Sequence, residues 1–341
     1  MFKRLVAFAT LFLAVSISLT FASAAWSAPN SNPWGADYFP NVPLVTQDGK
    51  TVMFYDDLLK DKKVLIDFIF AKCEDGCPLD TANMVRVQKL LGDKVGKEIH
   101  MYSITLDPEH DTPAVMKEYA AQYGAGPGWL FLTGTRENID KIRYKLGDVG
   151  KKEEHANAVK VGDIARGQWV RVPLTADPSY IVSEIRGLFE PGWSTGKKLK
   201  SIADAPPVPV SGHGQVLFSN RCAACHTFGK GGHLGPDLAG ITARRDPDWL
   251  IRYLAEPNKM RASKDPTALE LAKNWKVLMP NLSLTKQELG DLMNYMEDMN
   301  KREAPKAEAA PGAAGTEKSA ALAHDHSQHD HAHHDHGGEK K

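Results

Sequence analysis

Cysteine is scarce in this chain. It has four in 341 residues, all within two short motifs, Cys73-Glu74-Asp75-Gly76-Cys77 and Cys222-Ala223-Ala224-Cys225-His226. None is left over for a disulfide framework, so the fold must rest on apolar cores and the cysteines are free for chemistry. Excess charge of one sign is also missing: the formal net charge is zero, which removes the basic surplus that nucleic-acid binding would need. There is no internal repeat, which excludes solenoids and propellers. Past Phe21 no apolar run is long enough to span a bilayer.

With 42% hydrophobic residues the chain can bury two ordinary cores. Residues 1–24 read as an export signal: Lys3 and Arg4 give the positive start, Leu5 to Phe21 the apolar stretch and Ala22-Ser23-Ala24 a cleavage site. A periplasmic location is therefore expected, with an uncleaved N-terminal membrane anchor as the alternative. Composition then divides the chain into a first domain at 35–195, a linker at 196–210 containing Pro206, Pro207 and Pro209, a second domain at 211–300, and an Ala-, Pro-, Glu- and Lys-rich tail at 301–341.

The first domain alternates strand and helix patterns. Lys63 to Phe70 reads as a buried strand that runs into the first cysteine motif and a helix through Val85, Val87 and Leu90. A strand at Ile99 to Leu106 follows, then a helix capped by Asp111 or Thr112 with Pro113 in its first turn. Trp129 to Leu132 and Thr135 to Lys145 repeat that order. A hairpin from Ala158 to Val161 and Trp169 to Leu174 and a helix from Pro178 to Phe189 close the domain. The order predicts an α/β thioredoxin-like sandwich with Cys73 and Cys77 at a helix start. There the helix dipole favours thiolate, while Glu74 and Asp75 are expected to raise the thiol pKa values and suit a bound cation. Two thiolates and an imidazole make a soft three-coordinate site matched to Cu(I); without metal the pair is a dithiol redox centre.

Cys73 to Cys77 followed by Pro78, the run Ile104-Thr105-Leu106-Asp107-Pro108-Glu109-His110-Asp111-Thr112-Pro113, and Phe131-Leu132-Thr133-Gly134 resemble the Sco/SenC copper proteins of cytochrome oxidase assembly. The resemblance covers roughly residues 35 to 190. It implies copper held by Cys73, Cys77 and a distant histidine, which matches His155. His110 stands where the family commonly has arginine and is the rival ligand, while Asp107 and Asp111 are expected to shape a turn. Between the cysteines, Glu-Asp-Gly replaces the family's commoner proline-containing set. The proline that thioredoxins carry near position 155 is missing, which favours metal binding over dithiol exchange.

The second motif is C-x-x-C-H, the attachment sequence for a c-type haem, with Cys222 and Cys225 as thioether donors and His226 as an iron ligand. Residues 211–300 resemble a small all-α class I cytochrome c. A short helix enters the motif from Gly214, Gly235-Pro236-Asp237-Leu238 looks like the loop after the proximal ligand, and a helix from about Lys286 to Met299 starts at a capping box of Thr285 and Glu288. Met279, ahead of Pro280, matches the axial methionine, with Met260 as the next candidate. Met293 and Met296 are spaced for packing. His213 and His233 are expected to be solvated.

The tail carries His324, His326, His329, His331, His333, His334 and His336 among aspartates, without large apolar residues. It is expected to be disordered and to bind copper or a similar divalent ion weakly. The whole then reads as an exported copper metallochaperone with covalent haem c. Its expected recipient is the copper-bearing subunit of cytochrome c oxidase, and a respiratory electron donor or acceptor is the expected partner of the haem. A thiol-disulfide reductase for oxidase cysteines and a plain electron carrier with a docking domain are the alternatives. A single haem passes one electron, which matches a copper ion better than a two-electron disulfide.

Overall fold

The computed structural model describes residues 33–152, 155–193 and 212–307. The export signal at 1–24, the linker at 196–210 and all seven tail histidines lie outside the described residues.

The first region is a seven-stranded mixed sheet. Its strands are β1 (Pro43–Thr46), β2 (Thr51–Met53), β3 (Lys63–Ile69), β4 (Ile99–Thr105), β5 (Trp129–Thr133), β6 (Ala158–Asp163) and β7 (Gln168–Pro173), in the order β2-β1-β5-β4-β3-β6-β7. Strands β3, β4 and β5 run parallel, with Ile66 opposite Tyr102 and Tyr102 opposite Leu130. They are Val-, Ile- and Leu-rich because both faces are covered, and Val64, Leu65, Ile66 and Ile69 are fully buried. The covering helices are α1 (Cys77–Leu91), α2 (Pro113–Tyr123), α3 (Arg136–Lys145) and α4 (Pro178–Phe189). Thr112 caps α2, its hydroxyl accepting from the Val115 amide at 3.4 Å, and Pro113 occupies the first turn where no backbone donor is lost. The expected strand and helix order is present, with the hairpin β1–β2 added at one edge of the sheet.

The second region is all helical: α5 (His213–Leu217), a wide turn over Phe218–Cys222, α6 (Ile241–Arg244), α7 (Pro247–Ala255), α8 (Pro257–Ala262), α9 (Pro266–Asn274) and α10 (Lys286–Ala307). The capping box is formed: the Thr285 amide donates to Glu288 at 2.8 Å and the Glu288 amide to the Thr285 hydroxyl at 3.2 Å. Helices α5 and α10 cross so closely that a Cβ at Gly214 would stand 2.0 Å from the Asp291 carbonyl oxygen. His213, expected to be solvated, joins the same two helices through Asp291 at 2.6 Å. Phe218, Phe228, Leu250, Leu292, Met293 and Met296 form this region's own core.

The two regions touch. Ala224, Cys225, Leu234, Val277 and Leu282 pack against the core of the sheet region. Arg86 and Asn83 of α1 donate to the carbonyls of Ser219 and Asn220 at 3.3 and 3.5 Å. Among the described residues no helix is long and apolar enough to cross a membrane.

Candidate functional site

Strand β3 delivers the chain to Phe70, and the next residues turn beside the sheet before α1 begins at Cys77. Asp111 holds that turn. One of its carboxylate oxygens accepts from the Ala71 amide at 3.1 Å and from the Thr105 hydroxyl at 2.5 Å, tying the approach to Cys73 onto β4. Asp111 is thus a positioning group for the cysteine loop, more than the turn former its sequence position suggested. Cys77 is fully buried and Cys73 partly so, and both are free thiols.

The two thiols differ in acidity because they share one hydrogen bond. Donation from Cys77, aided by backbone amides at Cys77 and Asp75, lowers the Cys73 thiol to about 7. The same bond, followed by burial, raises Cys77 well above its ordinary value. This corrects the expectation that Glu74 and Asp75 would raise both. Asp75 does oppose ionisation of Cys73, but as the smallest of the contributions, and the Glu74 carboxylate is engaged by Arg261 at 2.8 Å.

His155 stands against this pair. Its Nε2 is 3.7 Å from Cys77 Sγ, and its Nδ1–H donates to the Lys152 carbonyl at 2.7 Å, which leaves Nε2 with its lone pair on the cysteine side. Burial lowers its pKa, so the imidazole is neutral near pH 7. With zinc's bond lengths of ~2.3 and ~2.0 Å, a thiolate and an imidazole ~120° apart on one ion stand ~3.7 Å from each other, which is the spacing found. Among the described residues no three His, Cys, Asp or Glu side chains form a closed ligand set, so Cys73, Cys77 and His155 are neighbours and not a finished cage. The rival His110 is turned to Asp107, 3.0 Å from its carboxylate, and its side chain is 61% exposed.

Gly76 and Asn157 fix the approach of the two loops. A Cβ on Gly76 would fall 1.9 Å from the Asn157 side-chain amide nitrogen, so the residue before Cys77 packs directly on the side chain of the segment that carries His155.

The second motif ends in a different kind of place. Cys222, His226, Met279 and Met296 line a cavity of about 410 Å³ whose walls are mostly apolar, with Phe218, Leu250 and Leu254 among them, and which Asp237, Arg244 and Arg245 also border. His226 Nδ1–H donates to the Pro236 carbonyl at 2.9 Å, leaving Nε2 to ligate. A Cβ on Gly235 would stand 2.6 Å from the His226 ring, so that glycine makes the cradle for the imidazole. Burial holds both thiols of this motif at about 12. A largely apolar cavity lined by Cys222, an oriented imidazole and a thioether, with Cys225 on the adjoining smaller space, fits a haem. Met279 and His226 also bound a second, smaller space with Cys225, Trp275 and Pro280, whereas Met260 lines neither. Met296, assigned by spacing to packing, is buried in the helical core and touches the cavity as well.

Asp237 was missed as a functional residue. Its carboxylate accepts from the amides of Gly229, Lys230, Gly231 and Ala239 and from the Thr227 hydroxyl at 2.7–3.0 Å. Burial pushes its pKa up, but these bonds outweigh burial and hold it far below the carboxylate range. The knot fixes the loop that brings Pro236 to His226. The signal lay in the sequence as an aspartate beside three glycines at 229, 231 and 232.

Comparison with known proteins agrees with this division. Residues 35–162 match the SCO1/SenC family and residues 211–300 the cytochrome c family. A SCO1 protein homolog of Bacillus subtilis is 42% identical over 101 residues, 29% of this chain and 51% of that protein. A putative copper-binding protein of Stutzerimonas stutzeri is 32% identical over 108 residues, 32% of this chain and 51% of that protein. The chain thus spans about half the length of the curated relatives it matches. Among solved structures, ScoI of Bradyrhizobium japonicum with copper bound shares 27% identity at a TM-score of 0.36, covering 42% of this chain and 94% of that one. Residues 35–162 are thus a SCO1/SenC domain and residues 211–300 a cytochrome c domain.

Proposed function

We propose that this protein is an exported copper metallochaperone carrying a covalent haem. Cys73, Cys77 and His155 hold Cu(I), the copper centre of a cytochrome c oxidase receives it, and the haem exchanges single electrons with that site or with a respiratory partner. The observation that carries the reading is the 3.7 Å approach of His155 Nε2 to Cys77 Sγ with the opposite ring nitrogen tied to Lys152. Two soft sulfurs and one neutral imidazole suit Cu(I) over harder ions. Cys73, already acidic, offers a thiolate at neutral pH, and Cys77 gives up its proton when the ion arrives.

In the second domain we assign Cys222 and Cys225 to the thioether bonds and His226 and Met279 to the axial positions. A bound haem would supply one-electron chemistry with both axial sites filled. The chain's own contribution is to orient His226 through Pro236, to knot that loop with Asp237 and to keep water from the cavity. The histidines from His324 to His336 are proposed to gather copper for transfer to the cysteine site.

The test is anaerobic Cu(I) loading of the full chain followed by exchange against a weak competing chelator that strips the tail. One retained copper, lost in His155→Ala, is the expected result. Haem without retained copper would overturn the chaperone reading. A second reading, thiol-disulfide reductase, is favoured by one observation: Cys73 at about 7 beside a buried, less acidic Cys77 is the arrangement of an attacking and a resolving thiol. Disulfide reduction by copper-free protein, abolished in Cys77→Ser, would establish it.

A further inference from the structure

The residue that follows Cys73 is where the two domains are joined. Arg261, on α8 of the cytochrome domain, donates to the Glu74 carboxylate at 2.8 Å and to the Met279 carbonyl at 3.1 Å. Two residues beyond Met279, the Asn281 amide donates to the Glu74 carbonyl at 2.8 Å. Glu74 is therefore gripped at its side chain by Arg261 and at its backbone by Asn281, and Arg261 in turn holds the Met279 carbonyl two residues away. The Arg261 side chain is 10% exposed and that of Glu74 50%. A half-screened surface pair is weak by itself, but the guanidinium is nearly out of water and its two acceptors belong to the two candidate centres.

We propose that Arg261 is a positioning residue that latches the Met279 segment to the cysteine loop, so that the state of the Cys73/Cys77 site and the potential of the haem are coupled. This deepens the copper and haem reading above and rests on it. The cause is mechanical and electrostatic. Any change at Cys73, whether metal loading or disulfide closure, moves the adjacent Glu74. Glu74 is bonded directly to Asn281 and through Arg261 to Met279, so the loop that presents the methionine must follow. At the same time the carboxylate's distance from the guanidinium sets how much positive charge is felt beside the haem cavity. Withdrawal of the carboxylate leaves more, which favours ferrous iron and raises the potential. Coupling of this kind is reciprocal, so reduction of the haem changes copper affinity by the factor by which copper changes the haem equilibrium. Glu-Asp-Gly between the cysteines, where this chain departs from the commoner proline-containing set, acquires a purpose: it presents the Glu74 carboxylate to the cytochrome domain.

The experiment is a spectroelectrochemical titration of the haem in the full chain with the first cysteine pair as dithiol, as disulfide and loaded with Cu(I). In the native sequence the potential is expected to move with the state of the pair by about tenfold in equilibrium constant, or ~59 mV for one electron. Arg261→Gln and, independently, Glu74→Gln are expected to erase most of that movement. The half-exposed Glu74 variant guards against a folding defect at Arg261. Full movement retained in both variants would overturn the latch. If copper is retained and the potential stays fixed in all three states, the latch falls and the chaperone reading stands. If copper is not retained but disulfide closure moves the potential and Arg261→Gln abolishes the movement, the latch stands and the chaperone reading falls.

Discussion

The two cysteine pairs place the same residue in opposite settings. In the first, a hydrogen bond between the thiols divides their acidity, so that Cys73 sits at about 7 while Cys77 stays protonated. In the second, burial is the largest influence and keeps Cys222 and Cys225 at about 12, against the opposing pull of Arg221 and Arg86. One pair thus offers a single acidic thiol beside a protonated neighbour. The other is held as two neutral thiols, Cys222 lining the larger cavity and Cys225 the smaller space beside it. The histidines differ in parallel. His155 faces a sulfur across an edge near the surface, whereas His226 is fixed by a carbonyl and a glycine cradle inside the cytochrome fold. Each histidine has a backbone carbonyl on Nδ1, which leaves Nε2 free to ligate; on the proposed reading the first would meet a transient ion and the second a resident cofactor.

The largest effect that could break this contrast is a double Cys222→Ser, Cys225→Ser replacement. It should abolish haem that survives denaturing extraction while leaving Cu(I) retention at the first pair intact; loss of both would show that the pairs are not independent sites. Next comes Gly76→Ala, whose Cβ collides with Asn157. Turning the Asn157 side chain aside next to His155 should weaken copper binding by about tenfold with the haem spectrum unchanged, as read by chelator competition. Asp237→Ala should cost the cytochrome domain about 2 kcal/mol in thermal or denaturant unfolding, a figure that discounts the loop's partial exposure. Because the folded-state pKa of Asp237 is depressed, its contribution is present above the ordinary carboxylate value and lost as pH falls through the folded one, so the variant should resemble the native protein more closely in acid than at pH 7. The smallest effect is kinetic. With Cys73 at about 7, its alkylation in copper-free protein should rise about fivefold from pH 6 to 7 and level off by about pH 8, whereas an ordinary thiol would keep accelerating.

Much of this was legible in the sequence because it is local. The apolar run from Lys63 and the prolines at 78, 113 and 178 set β3 and the starts of α1, α2 and α4 within a residue or so. The hairpin of β1 and β2 escaped because its strands are short and alternate too little to stand out. The helices α7 and α9 escaped although Asp246-Pro247 and Asp265-Pro266 announce their caps, since each is brief and only one side is apolar. What no local pattern could carry is a property set across space. The lowered Cys73 thiol depends on the orientation of Cys77, and the grip of Arg261 on Glu74 joins residues 187 positions apart.

The central claim is that copper belongs to the first pair and haem to the second. It is tested most directly by counting both in one preparation: full-length protein carrying Cys73→Ser, loaded with Cu(I) beside the native chain and exchanged against a weak chelator. The account predicts one copper and one haem per native chain, and one haem with no retained copper in the variant. Copper retained undiminished in Cys73→Ser would contradict it.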